Sequence, residues 1–228
     1  MAKIKFGSVI TDSRGSIGGH TLKWSRAGNV LGTKPQPKQE KTARQRAIQA
    51  NFSTLTKRWW NNLTSTQRDD WRALAAANPR SNIWGDEYPL TGLAYYVKLN
   101  QTLHQAGYSN TDTAPADQAV TSPLTATLTA TAPATMSLAY TTTPTPTDHI
   151  AYLLMTPPLS PGRSTFDGSF FFVAAGTAGQ TSPWNIAAAY AARGFTIVAA
   201  RQYVARLAFL NTDNGALSAA IQASVLAS

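Results

Sequence analysis

Residues 203–211 read Tyr203-Val204-Ala205-Arg206-Leu207-Ala208-Phe209-Leu210-Asn211, and the turn residues Thr212-Asp213-Asn214-Gly215 follow. Tyr203, Ala205, Leu207 and Phe209 occupy every second position, the repeat of a strand with one face in a core. The same alternation recurs upstream. Leu124, Ala126, Leu128 and Ala130 alternate with Thr125, Thr127 and Thr129, and Met136, Leu138 and Tyr140 alternate next. Ile150 to Met155 and Phe170 to Ala174 are continuous apolar runs, as expected of central strands, and Leu217 to Leu226 closes the chain. Roughly seven short strands in about 100 residues predict an all-β sandwich over residues 123–228. The alanine-rich stretch Trp184 to Ala192 leaves helix and strand both open.

Working back from there, residues 108–122 predict a linker. Ser109-Asn110-Thr111-Asp112-Thr113-Ala114-Pro115 is polar and punctuated by proline. Before it, residues 40–107 predict a small helical domain. Ile48, Phe52, Leu55, Trp59 and Leu63 mark one face of a helix. Thr64-Ser65-Thr66-Gln67 fits a capping box, with Trp71, Leu74 and Ala75 turned inward after it and a stop near Asn78-Pro79. Thr91 caps a third helix with Tyr96, Leu99 and Leu103 on one face, and Gly107 closes it.

Residues 1–39 predict an extended basic arm. Lys3 to Ile10, His20 to Trp24 and Val30 to Thr33 are short strand candidates, separated by turn residues that include Gly18 and Gly19. Lys34-Pro35-Gln36-Pro37-Lys38 reads as extended polyproline. With five glycines before residue 30 and few large apolar side chains, this segment cannot build a core alone.

Charge follows the same partition. The formal net charge is +9, and charged residues make up 14% of the chain. Residues 1–107 carry 16 Lys/Arg and 6 Asp/Glu, whereas residues 108–228 carry 4 and 5. A basic arm and a near-neutral body have different jobs, because the arm alone is attracted to an acidic surface at long range. The sequence has no cysteine, so disulfides and thiolate metal sites are excluded. Its first residues lack the apolar run of a signal peptide, and no apolar run approaches a membrane span of roughly 18 residues. The expectation from these features is synthesis and use in the cytoplasm, or release by lysis.

Two resemblances attach to these patterns. Tyr203 to Asn211, with Gly215 and Leu217-Ser218, resembles the last two strands of a fibronectin type III or Ig-like domain, although the early strands lack the usual Trp. Residues 7–77 resemble a group of small phage and prophage proteins. The shared pattern is Gly7, Gly15, Gly18 and Gly19, then Lys23-Trp24, Lys34-x-Pro, Thr42-x-x-Gln45-Arg46, Phe52, and Gln67-Arg68-x-x-Trp71. That resemblance implies a virion component and no activity.

Chemical constellations are sparse. His20, His104 and His149 fall one per region, so a metal site would need them to converge. Asp148-His149 invites a triad, but no Gly-x-Ser-x-Gly elbow accompanies it. Asp69-Asp70 reads as first-turn carboxylates of a helix, and Asp86-Glu87 as a loop pair. No phosphate-binding loop occurs. The expectation is therefore a non-enzyme with no catalytic, cofactor or metal residues.

The remaining constellation is the basic segment: Lys3, Lys5, Arg14, Lys23, Arg26, Lys34, Lys38, Lys41, Arg44 and Arg46, with Gly18, Gly19 and Trp24 among them. Trp60, off the apolar face of its helix, is the contact anchor. The expected fold is α+β multidomain: extended basic arm (1–39), helical domain (40–107), linker (108–122) and C-terminal β-sandwich (123–228). The expected function is a structural virion protein of a tailed bacteriophage. It docks by arm and helices on other virion proteins, self-associates in the assembly, and serves first as a capsid decoration or cement protein. A neck or tail accessory protein, or a basic nucleic-acid-binding protein, is the alternative.

Overall fold

A computed structural model describes residues 2–4, 15–25, 28–33, 42–81, 85–116, 118–141, 148–162 and 170–228. The chain divides into two compact units, 1–47 and 48–228.

The first unit corrects the expectation of an extended arm. Strands β1 (Ala2–Ile4), β2 (Gly15–Ile17), β3 (His20–Ser25) and β4 (Gly28–Thr33) form a four-stranded sheet in the order β1-β4-β3-β2. Every pairing is antiparallel. Gly18 and Gly19 make the two-residue turn between β2 and β3, with Gly18 at φ +55°. That left-handed conformation suits tight hairpins and disfavours any residue with a Cβ. At Gly18 and Gly19 the glycine-rich composition serves a turn between paired strands.

In the second unit, three helices share one core. They are α1 (Ala43–Asn61, beginning in the first unit), α2 (Ser65–Ala77) and α3 (Gly92–Ala106). Between α2 and α3, β5 (Arg80–Ser81) and β6 (Glu87–Tyr88) form a minimal hairpin. Thr64 and Gln67 make the capping box of α2, Asn78 ends that helix, Thr91 caps α3 and Gly107 closes it. Leu55, Trp59, Leu63, Trp71, Ala75, Tyr95, Tyr96 and Leu99 pack together. Ile48 and Phe52, expected on the buried face of α1, are instead exposed, because Ile48 precedes the first buried residue, Asn51, and Phe52 is turned to the side of the Asn51–Leu55–Trp59 line.

The C-terminal strands form two open antiparallel sheets. One has the order β10 (Phe171–Ala175), β9 (His149–Met155), β12 (Gln202–Asn211), β13 (Ile221–Leu226). The other has the order β11 (Trp184–Asn185), β8 (Thr135–Tyr140), β7 (Ala126–Thr131). The Ala-rich stretch splits between β11 and a short helix, α4 (Ala187–Ala191).

The all-β, fibronectin-like sandwich is thus corrected to a mixed α+β arrangement with open sheets. Two physical reasons account for the difference. Alternation reports a buried face for each strand and not whether sheets close. The larger sheet is also covered on both faces. One face meets β7, β8 and α4 through Leu138, Leu153, Tyr190, Leu207 and Phe209. The other buries Ile150, Tyr152 and Leu210 against Ala106 at the end of α3 and against Tyr108. Strand β12 is therefore apolar at Val204, Ala208 and Leu210 as well as on its alternating face.

Residues 108–122, read from the sequence as a linker, carry dense contacts to the helices. Asn100 accepts from the Thr111 amide at 2.7 Å, and the Tyr95 hydroxyl donates to Gln118 at 2.6 Å. The Tyr152 hydroxyl donates to Gln105 of α3 at 2.6 Å.

Candidate docking surface

The basic residues singled out in the sequence divide by position. Lys5, Arg14, Arg26, Lys34, Lys38 and Lys41 lie outside the described residues. Lys3 sits in β1 and Lys23 in β3, each opposite Val30 of β4, so the two share one cross-strand row. Trp24 is the next position of β3, opposite Asn29. Lys23 is exposed, and none of the side chains described between residues 15 and 33 is buried. Among its described apolar side chains, Leu22, Val30 and Leu31 are half-buried. Gly18 and Gly19 have open space around them, so they serve the turn and not a close backbone approach.

Arg44 and Arg46 are exposed on the first turns of α1. The start of that helix is held by a reciprocal pair. The Gln45 amide donates to Thr42 Oγ1 at 3.2 Å, and the Thr42 amide donates to Gln45 Oε1 at 3.1 Å. This gives a physical role to the Thr42-x-x-Gln45 spacing. The middle and end of α1 are fixed by Asn51 Nδ2 donating to Gln101 at 2.6 Å and by an Arg58–Asp112 ion pair at 2.6 Å. Trp60 is 60% exposed, with the Arg68 guanidinium 6.0 Å from its ring centroid. That separation suits a cation–π contact at a surface.

Among the described residues the remaining titratable groups do not converge. His20 and His104 are exposed, while His149 is buried and pairs through Nδ1 with Asp148 at 2.8 Å. That hydrogen bond holds the Asp148 carboxyl below its ordinary range. No serine or threonine hydroxyl among the described residues bonds His149, and His149 Nε2 has no partner there. Among the described residues no group of three His, Asp or Glu could hold a metal ion. Asp69 and Asp70 lie in the second turn of α2, not the first, and Asp69 pairs with Arg72 on the surface. Tyr96 and Tyr190 have pKa values pushed well up by burial. Both are fully buried in hydrophobic cores.

Sequence reasoning missed Asp112 as an organising residue. It stands in a polar, Pro-containing stretch, and its partners Arg58 and Trp71 lie 54 and 41 residues away. No local pattern encodes such a contact. No protein-family profile, no curated protein and no solved structure matches this chain.

Proposed function

We propose that this chain is a structural protein of a tailed-bacteriophage particle, docking through its basic N-terminal half on other virion proteins while the near-neutral C-terminal half projects. Capsid decoration is the first position to test. The observation that carries the reading is a basic four-stranded sheet none of whose described side chains from residue 15 on is buried. Half-buried Leu22, Val30 and Leu31 are apolar area that a partner would cover. The charge partition supports the same half, because residues 1–107 carry the excess of cations.

The test is binding of the purified chain to assembled particles, to unassembled capsid subunits and to duplex DNA across a salt series. Saturable binding to particles, with weak DNA binding at physiological salt, is expected. Gly18→Val, strained at φ +55°, should reduce particle binding and leave attraction to phosphate nearly intact. Tight DNA binding with a salt slope of about −0.9 per phosphate contact, unaffected by that change, would move the protein to the nucleic-acid-binding class.

A further inference from the structure

Helix α1 is longer than the core it packs on. Its 19 residues span about 28 Å. Its buried positions are Asn51, Leu55 and Trp59, and residues 42–50 are all exposed. Helical turns without tertiary contacts are marginal in water. These turns and the face that continues them nonetheless hold large apolar side chains in solvent: Ile48 at 43%, Phe52 at 54% and Trp60 at 60% exposure. At 3.6 residues per turn the three fall within roughly a third of the helix circumference: Ile48 continues the line of Leu55 and Trp59, and Phe52 and Trp60 turn progressively away from it. Arg44 flanks the stripe on one side, Arg46 and Lys57 on the other, and all three are exposed. No acidic residue occurs anywhere between Ala43 and Asn61.

We propose that this stripe is a docking surface for a partner protein whose apolar groove is rimmed by carboxylates. The inference rests on the docking function above and deepens it by naming the surface and the partner's chemistry. An amphipathic helix seated by residues spaced four apart in an apolar groove is a recurring mode of recognition. Aromatic anchors inside a charged rim match the anatomy of interface hot spots. Charge selects among occupants. A second copy would bring the same cations against these, which costs affinity. A nucleic acid would use the cations and leave Ile48 and Phe52 without a role.

The test uses the full chain and two synthetic amphipathic peptides with leucine seams, one flanked by glutamate and the other by lysine, together with duplex DNA. The glutamate peptide should bind in preference to the other two. Phe52→Ser combined with Trp60→Ser should weaken that binding by about tenfold or more at unchanged circular dichroism. Arg44→Gln with Arg46→Gln and Lys57→Gln should weaken it comparably and flatten its salt dependence. Equal binding of both peptides, or glutamate-peptide binding that survives the double serine variant, would overturn the proposal. So would self-association, by sedimentation, that the double variant abolishes. Particle binding retained by the double variant would sink the stripe alone; peptide binding without particle binding would sink the virion reading alone.

Discussion

Arg58 and Asp112 form a two-point ion pair: Nε donates to Oδ1 at 2.6 Å and Nη2 donates to Oδ2 at 2.7 Å. Asp112 also accepts from the Tyr96 hydroxyl at 3.2 Å, and its carbonyl accepts from Trp71 Nε1 at 2.9 Å. One residue therefore ties α1, α2 and α3 together. Around it Trp59 and Trp71 pack on Tyr96 with ring centroids 5.5 and 5.3 Å apart.

Asp112→Ala should destabilise the second unit by about 2 kcal/mol, below the 3–5 of a fully buried pair because both side chains keep partial solvent contact. Asp112→Asn, which keeps one acceptor and the backbone bond, should cost less. Urea unfolding followed by tryptophan fluorescence reads both changes. An unshifted midpoint for the alanine variant would show that the pair contributes nothing.

Gly215 lies in the turn after β12 at φ +75°, and a Cβ there would run into the carbonyl of Leu99 in α3. Gly215→Ala combines that clash with left-handed strain of about 1–2 kcal/mol. Loss of more than that in a thermal melt is expected, because helix and turn must part to admit the methyl group. Wild-type stability would mean that α3 is free to shift.

The two capping boxes should respond differently. Thr64→Ala removes the cap of a helix whose Trp71 is in the core, and it should cost about 1 kcal/mol globally. Thr42→Ala frees turns that touch no core, so global stability should hardly move while amide exchange at residues 43–47 accelerates. Equal global losses would place the start of α1 in the cooperative unit.

Alkaline pH separates the ionisable groups by sign. Burial raises the pKa of Tyr95, Tyr96, Tyr140 and Tyr190 above the ordinary value of 10.0. A raised folded pKa means stability fully present below 10.0 and lost as pH climbs toward the folded value. Lys98 works the other way. Its pKa is lowered, by burial first and by Arg80 second, so its penalty is relieved as pH rises toward 10.5. Four tyrosines against one lysine predict net destabilisation above pH 10, with tyrosinate absorbance appearing only as the fold opens. Tyr96→Phe should blunt the loss in the helical part.

Legibility in the sequence followed the range of the interaction. Caps were readable because donor and acceptor sit three residues apart, as at Thr64 and Gln67. Strand faces were readable because Leu207 and Phe209 repeat with the pleat. Sheet closure was not, since nothing in β12 announces that Leu210 meets Tyr108 and Ala106 and not solvent. The burial of Ile48 and Phe52 was misread for a related reason: a helical repeat marks an apolar face, and packing decides how much of it is covered. Of the candidate docking residues, Trp60 stands exposed off the buried face, as its helical phase required.

Strand β7 has its last partner far along the chain. Ala132 donates to the Ser228 carbonyl at 2.8 Å, Ser228 donates back to Ala130 at 3.2 Å, and Thr131 and Ser228, 97 residues apart, bring their hydroxyls to 3.3 Å. The helical contacts made through Asp112 close loops of at most 54 residues. Folding should therefore be staged in time: the helices gather on the fast scale of local contacts, and the strands wait for a slow, long-range closure. During that wait β12 shows apolar side chains on both faces, which makes it the segment most prone to capture by a neighbouring chain. In pulse-labelled exchange during refolding, amides of α2 and α3 should become protected before those of β7 and β12.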